Sequence, residues 1–163
     1  MKFSLQHPLP ADISTAWETL MSEEFSSASY AHLGTQREKI SEEEKEGKIL
    51  STLQITLKDE LPPLAAKVIG SKRLSWIQEQ IIDNSIHTMR WRIRILGTNK
   101  ITATGVFSLQ TNGEHCLRIV EGDVQVGIPI VGRKVEKHVC KQLESSYQKT
   151  AEFSHKWLLD QHS

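Results

Sequence analysis

Apolar and polar positions along this chain change period several times, and each change marks an element. Phe3, Leu5 and His7 alternate with Lys2, Ser4 and Gln6, which predicts a short half-buried strand ending at Pro8. A helical period follows, opening at Pro10 or Asp12, with Ile13, Ala16, Trp17, Leu20 and Met21 on one side. Ser22-Glu23-Glu24 restarts a second short helix toward Leu33, and Gly34 stops it. From Thr35 the period is two again. Residues 35–44 form a polar strand, Glu46-Gly47 turns the chain, and Ile49, Ser51, Leu53, Ile55 and Leu57 face inward on the way back. Leu61 to Gly70 reads as a short helix with Pro62 and Pro63 in its first turn. Further strands follow, and a long helix from about Val131 to Gln161 closes the chain. Its Val135, Val139, Leu143, Tyr147, Phe153, Trp157 and Leu158 share one half of the helical wheel. Arg133, Lys134, Lys137, Lys141, Glu144, Gln148, Glu152 and His155 fill the other.

The last four strands can be registered through their turns. Asp83-Asn84 serves as a two-residue turn, Leu96 to Lys100 as an odd-length one, and Asn112-Gly113 as the strongest hairpin signal. Cross-strand neighbours then form inward rows. One row holds Gln80, His87, Leu109 and Cys116; the next holds Gln78, Met89, Phe107 and Arg118. Trp76, Trp91, Gly105 and Val120 come next, then Leu74, Ile93, Ala103 and Gly122. A slip of one residue would bring Arg90, Arg92 and Arg94 inside. The register instead lines them along the outer face near Glu79, with Leu117 and Ile119 also outward.

Composition narrows the function classes. Twenty basic and twenty acidic side chains cancel, which gives no basic signal for nucleic acid. The run Glu42-Glu43-Glu44-Lys45-Glu46 fits a solvated hairpin tip. Cys116 and Cys140 have no C-x-x-C spacing and read as a reduced pair. No signal peptide is visible, and the longest apolar run, near Val124 to Val131, is too short to span a bilayer. A cytoplasmic protein without integral membrane association is expected, its 163 residues forming one domain. The histidine spacings indicate no metal, and no glycine-rich nucleotide motif or other cofactor signature appears. Oligomeric state is not legible.

The order of strand, two helices, six strands with a helical insertion and one long helix resembles the helix-grip fold of the START-like superfamily (SRPBCC). That superfamily also includes polyketide cyclases and plant pollen-allergen proteins. The run Glu121-Gly-Asp-Val-Gln-Val-Gly-Ile-Pro-Ile-Val-Gly-Arg-Lys-Val-Glu-Lys resembles the strand-to-helix junction of a bacterial family of unknown function within it. Leu61-Pro-Pro-Leu, Val68-Ile-Gly, Phe153 and Trp157-Leu158 are similar to other parts of the same family. The resemblance implies an α+β fold: a curved antiparallel sheet of about seven strands gripping the long C-terminal helix, with two short helices after the first strand. It also implies an apolar ligand between sheet and helix, and carries no catalytic residues with it.

The expected site follows from the rows. Gly105, Ala103 and Gly122 lie opposite Trp76 and Trp91, so small residues facing large ones can leave a cavity beneath the helix. The alternative is that the glycines let the sheet coil and the tryptophans fill a solid core. Met89, Phe107, Val120, Val139 and Leu143 complete the apolar walls. Arg118 is the sharpest residue, because an inward guanidinium is costly unless it is paired. It can bind an anionic oxygen of a ligand, with Gln78, Gln80 and His87 completing a polar end. Equally, it can pair with an acid, snorkel out at the sheet end, or be turned outward by a bulge near Cys116. A Cys116–His87 nucleophile lacks an orienting carboxylate. The expected function is sequestering a small hydrophobic molecule, lipid- or polyketide-like, with a cyclase-type enzyme and a protein-interaction module as the alternatives.

Overall fold

The computed structural model of the chain describes residues 1–161. Its elements run β1 (Lys2–Leu9), α1 (Ile13–Leu20), α2 (Glu23–His32), β2 (Thr35–Lys45), β3 (Lys48–Leu57), α3 (Pro63–Ile69), β4 (Ser75–Asp83), β5 (Thr88–Ile95), β6 (Ile101–Asn112), β7 (His115–Val126) and α4 (Gly132–Gln161). Local chemistry sets the helix ends. The Asp12 carboxylate accepts from Thr15 N and the Ser22 hydroxyl from Phe25 N, each capping a helix start. Gly70 closes α3 at φ 79, a conformation a side chain would strain.

All seven strands form one antiparallel sheet in the order β1-β7-β6-β5-β4-β3-β2. This is the curved α+β helix-grip architecture. The period of two along each strand puts the expected face inward, and Arg90, Arg92 and Arg94 are exposed on the other, Arg94 3.7 Å from Glu79. Leu117 and Ile119 share that outer face and are half-buried.

Two hairpins are registered differently from the turn reading. The β5–β6 pairing is the expected one, with Met89 opposite Phe107, Trp91 opposite Gly105 and Ile93 opposite Ala103. Between β4 and β5, Asp83 pairs with Thr88, so Asn84 to His87 all belong to the turn and Gln80 faces Trp91. His87 itself adopts φ 51, a left-handed turn conformation, and its ring meets Trp17 edge-on at 5.5 Å. Between β6 and β7 the turn residues are Gly113-Glu114, so Arg118 pairs with Leu109, Val120 with Phe107 and Gly122 with Gly105. Both displacements are even, so every side chain keeps its face while its neighbours change.

The new neighbours explain the two glycines. A Cβ on Gly105 would lie 2.3 Å from Trp91 Cζ2 and 2.4 Å from the Glu121 carbonyl oxygen. One on Gly122 would lie 2.6 Å from the Phe3 ring. The bare glycine backbone lets Trp91 and Phe3 lie flat on the sheet, and their ring centroids are 6.5 Å apart. With Val120, Val124, Cys116 and Cys140 they make a closed core beneath α4, which packs on β7 and β1. At the junction before α4, Ile130 rather than a glycine takes the left-handed conformation, at φ 72. Gly132 serves close approach instead, since a Cβ there would sit 2.8 Å from Val126 O.

Candidate ligand cavity

Because α4 covers β1 and β7 while α2 packs on β2, the concave face of β3 to β5 lies between two helices. A cavity of about 310 Å³ occupies that space. That volume is at the small end of ligand sites. The sheet supplies its floor: Ser51 opposite Gln80, Leu53 opposite Gln78, and Ile82 opposite Met89. Phe25, Ser29 and Tyr30 of α2 form one wall; Leu143, Tyr147 and Thr150 of α4 form the other. The wall is mostly apolar, and its polar groups gather at two places.

The first is the mouth. Arg37 grips Glu23 through two hydrogen bonds, Nη1 to Oε1 at 2.6 Å and Nη2 to Oε2 at 3.2 Å. Lys39 reaches Glu23 at 3.5 Å and Glu42 at 3.3 Å. The bidentate hydrogen bonds from Arg37 hold the Glu23 carboxyl below the usual carboxylate range. Each of these cations has a carboxylate partner, although Arg37 Nε is itself buried without a hydrogen bond.

The second is the inner polar end. Trp76 Nε1 donates to Gln78 Oε1 at 3.3 Å, and Gln78 Nε2 donates to the Tyr30 hydroxyl at 3.2 Å. Burial pushes the Tyr30 and Tyr147 phenols up, so both keep their protons at neutral pH. Arg118 reaches the same cavity from β7, only 1% exposed. Its Nη2 donates to the Tyr147 carbonyl oxygen at 2.7 Å and to His7 Nδ1 at 3.3 Å. Its Nε is buried without a partner, and none of the described carboxylates pairs with it. The guanidinium carbon lies 5.8 Å from both the Phe107 and Tyr147 ring centroids. Desolvation lowers its pKa to about 10, so the charge persists at neutral pH.

His7 anchors this arginine from the far side. Its Nε2–H donates to Gln148 Oε1 at 3.1 Å, which leaves Nδ1 to accept from Arg118. Burial and then the Arg118 charge hold His7 below the ordinary histidine value of 6.5. The folded chain therefore binds fewer protons here than the unfolded chain does. His7 contributes stability above about pH 6.5, and this is lost as pH falls through its lowered pKa. Thermal unfolding at pH values on either side of that window should show it as a drop in Tm on acidification, and His7→Gln should reduce the drop.

Of the residues singled out in the sequence, Trp76, Gln78, Gln80, Met89, Phe107, Arg118 and Leu143 line the cavity. Trp91, Gly105 and Val120 do not: they belong to the closed core, where Trp91 fills the space that Gly105 leaves. Val139 packs against that core one turn before Leu143. His87 stands in the β4–β5 turn, outside the cavity, because the turn is longer than the Asp83-Asn84 reading allowed. Cys116 and Cys140 are buried thiols pushed up by desolvation. Tyr30 and the Glu23–Arg37–Lys39 cluster carry no sequence signal of a site, and the periodicity of α4 marks Tyr147 only as part of its apolar stripe. Among the described residues no cluster of His, Cys, Asp and Glu could hold a metal ion. No helix among them is long and apolar enough to cross a membrane.

The curved sheet and the long helix against it define the helix-grip fold. The chain belongs to the family described as protein of unknown function (DUF2505), whose model matches residues 4–158. No curated protein matches it in sequence. Solved structures share its architecture at low identity. A protein from Thermus thermophilus is 13% identical over 100% of both chains, with a TM-score of 0.70. The Zhui aromatase/cyclase from a Streptomyces species is 11% identical over 97% of this chain and 95% of that one, with a TM-score of 0.67. Ara h 8.0201 is 10% identical over 94% and 97%, with a TM-score of 0.63. Likeness at this level shows the fold.

Proposed function

We propose that this protein binds and sequesters a small, mostly apolar molecule between α2, the concave sheet face and α4. The observation that carries the reading is the cavity itself, about 310 Å³ of space on one half of a sheet whose other half is solidly packed. A fold that only needed a core would gain stability by filling that space, since voids forfeit both burial and dispersion. The likeness to an aromatase/cyclase supports the same reading.

Cyclase-type chemistry is the second reading, favoured by the polar groups that face the cavity. Arg118, Tyr30 and Tyr147 can all donate to a carbonyl oxygen, which is how a developing oxyanion is stabilised. The two phenols hold their protons, and His7 lies behind Arg118 with both ring nitrogens engaged. The cluster is thus built to donate hydrogen bonds, which favours holding a ligand over abstracting a proton.

A cavity-filling variant tests the binding reading. Ser51 is inward-facing on the cavity floor, and phenylalanine there would project into the open space. Calorimetric titration with 1-naphthol, a neutral apolar probe, should show saturable binding to the wild type. Ser51→Phe should weaken it by about tenfold or more while Tm stays within a few degrees. No binding to the wild type, or equal binding to both, would contradict the reading.

A further inference from the structure

We infer that the molecule held in the cavity is a small organic acid, apolar over most of its surface, whose anionic oxygen sits against Arg118. The inference rests on the binding reading above and names the ligand's chemical class. Among the described residues, three cations and two carboxylates line the cavity. At the mouth, Glu23 and Glu42 are taken up by Arg37 and Lys39. Arg118 is the cation left over. It is almost wholly buried, its Nε has no partner, and its two protein hydrogen bonds go to the neutral acceptors Tyr147 O and His7 Nδ1.

A guanidinium in such a place ordinarily has a carboxylate beside it, because a neutral carbonyl and an imidazole do not offset its lost hydration. Arg118 is one of the residues that line the cavity. A ligand carboxylate there supplies the missing counter-ion and accepts charge-assisted hydrogen bonds. The Tyr147 hydroxyl has no hydrogen-bond partner among the described residues, and its ring centroid lies 5.8 Å from the Arg118 guanidinium carbon. It can donate to the same oxygen. Phe107, Met89, Ile82 and Leu143 then take the apolar remainder.

Calorimetry with octanoate and 1-octanol, which share a chain and differ in the head group, tests this directly. Wild-type protein should bind octanoate about tenfold more tightly than 1-octanol, or better. Arg118→Met should lose that preference and bind the two alike. Equal binding of both by the wild type would overturn the acid while leaving the cavity's role intact. Failure of the wild type to bind either would overturn both. The wild-type comparison stands even where the variant does not fold. Arg118→Lys adds a further check, since it keeps the charge and should retain part of the preference for octanoate.

Discussion

Gly105→Val should destabilise the fold by about 3 kcal/mol or more, and lower Tm by about 6 °C or more. The cause is a collision on both sides of a new Cβ. It would stand 2.3 Å from Trp91 Cζ2, and a ring can sometimes rotate away. It would also stand 2.4 Å from the Glu121 carbonyl oxygen, which belongs to the adjoining strand and cannot move without breaking the β6–β7 ladder. Gly105→Ala should act in the same direction to a smaller extent. Urea unfolding gives the measurement. A change of under about 1 kcal/mol for the valine variant would mean that the core beneath α4 is looser than the packing of Trp91 against Gly105 requires. Together with Ser51→Phe, it separates the two halves of the sheet: one side has no room for a methyl group, and the other has room for a ring.

Arg118→Met should be neutral or stabilising by about 1–2 kcal/mol, raising Tm by a few degrees, while it abolishes the preference for acids. Holding the guanidinium pKa at about 10 instead of 12.5 corresponds to a cost of about 3 kcal/mol for keeping the charge. Two hydrogen bonds offset part of that cost. Methionine leaves few orphaned groups behind it, because the Tyr147 carbonyl lies within the ladder of α4 and His7 is partly exposed. An arginine kept for structure would behave in the opposite way, its removal costing about 3 kcal/mol or more. His7 reports on the same substitution. With the neighbouring charge gone, its pKa should rise toward the ordinary range, which titration by NMR can follow.

Much of this architecture is legible in the chain because burial acts through periodicity. The alternation in β3 through β7 assigns each side chain its face, and it alone points Arg118 inward. Its burial in the fold is nearly complete. Register is harder to read, because it depends on turn length, and turn length depends on which residues accept left-handed backbone. Asn84 and Asn112 look like turn residues, but the left-handed positions fall at His87 and Gly113, one of them a residue with no strong turn preference. An even displacement leaves every face correct and moves every neighbour. For that reason the sequence points to a cavity beneath α4, beside Gly105 and Gly122, whereas the cavity lies over β3 to β5 with α4 as one wall. The glycines that suggested open space are the ones that Trp91 and Phe3 fill. Tyr30 could not have been read from the sequence as part of the site. It sits on a short helix of weak amphipathic character, and only the packing of α2 against β2 turns it toward Gln78.

The most direct measurement is a crystal structure of the wild-type protein soaked with 4-bromobenzoate, located by the anomalous signal of bromine. The account predicts one strong bromine peak between Phe107, Met89 and Leu143, with the carboxylate against Arg118 and within reach of the Tyr147 hydroxyl. A cavity that stays empty at saturating ligand, or a bromine peak found only on the outer face of the sheet, would contradict it.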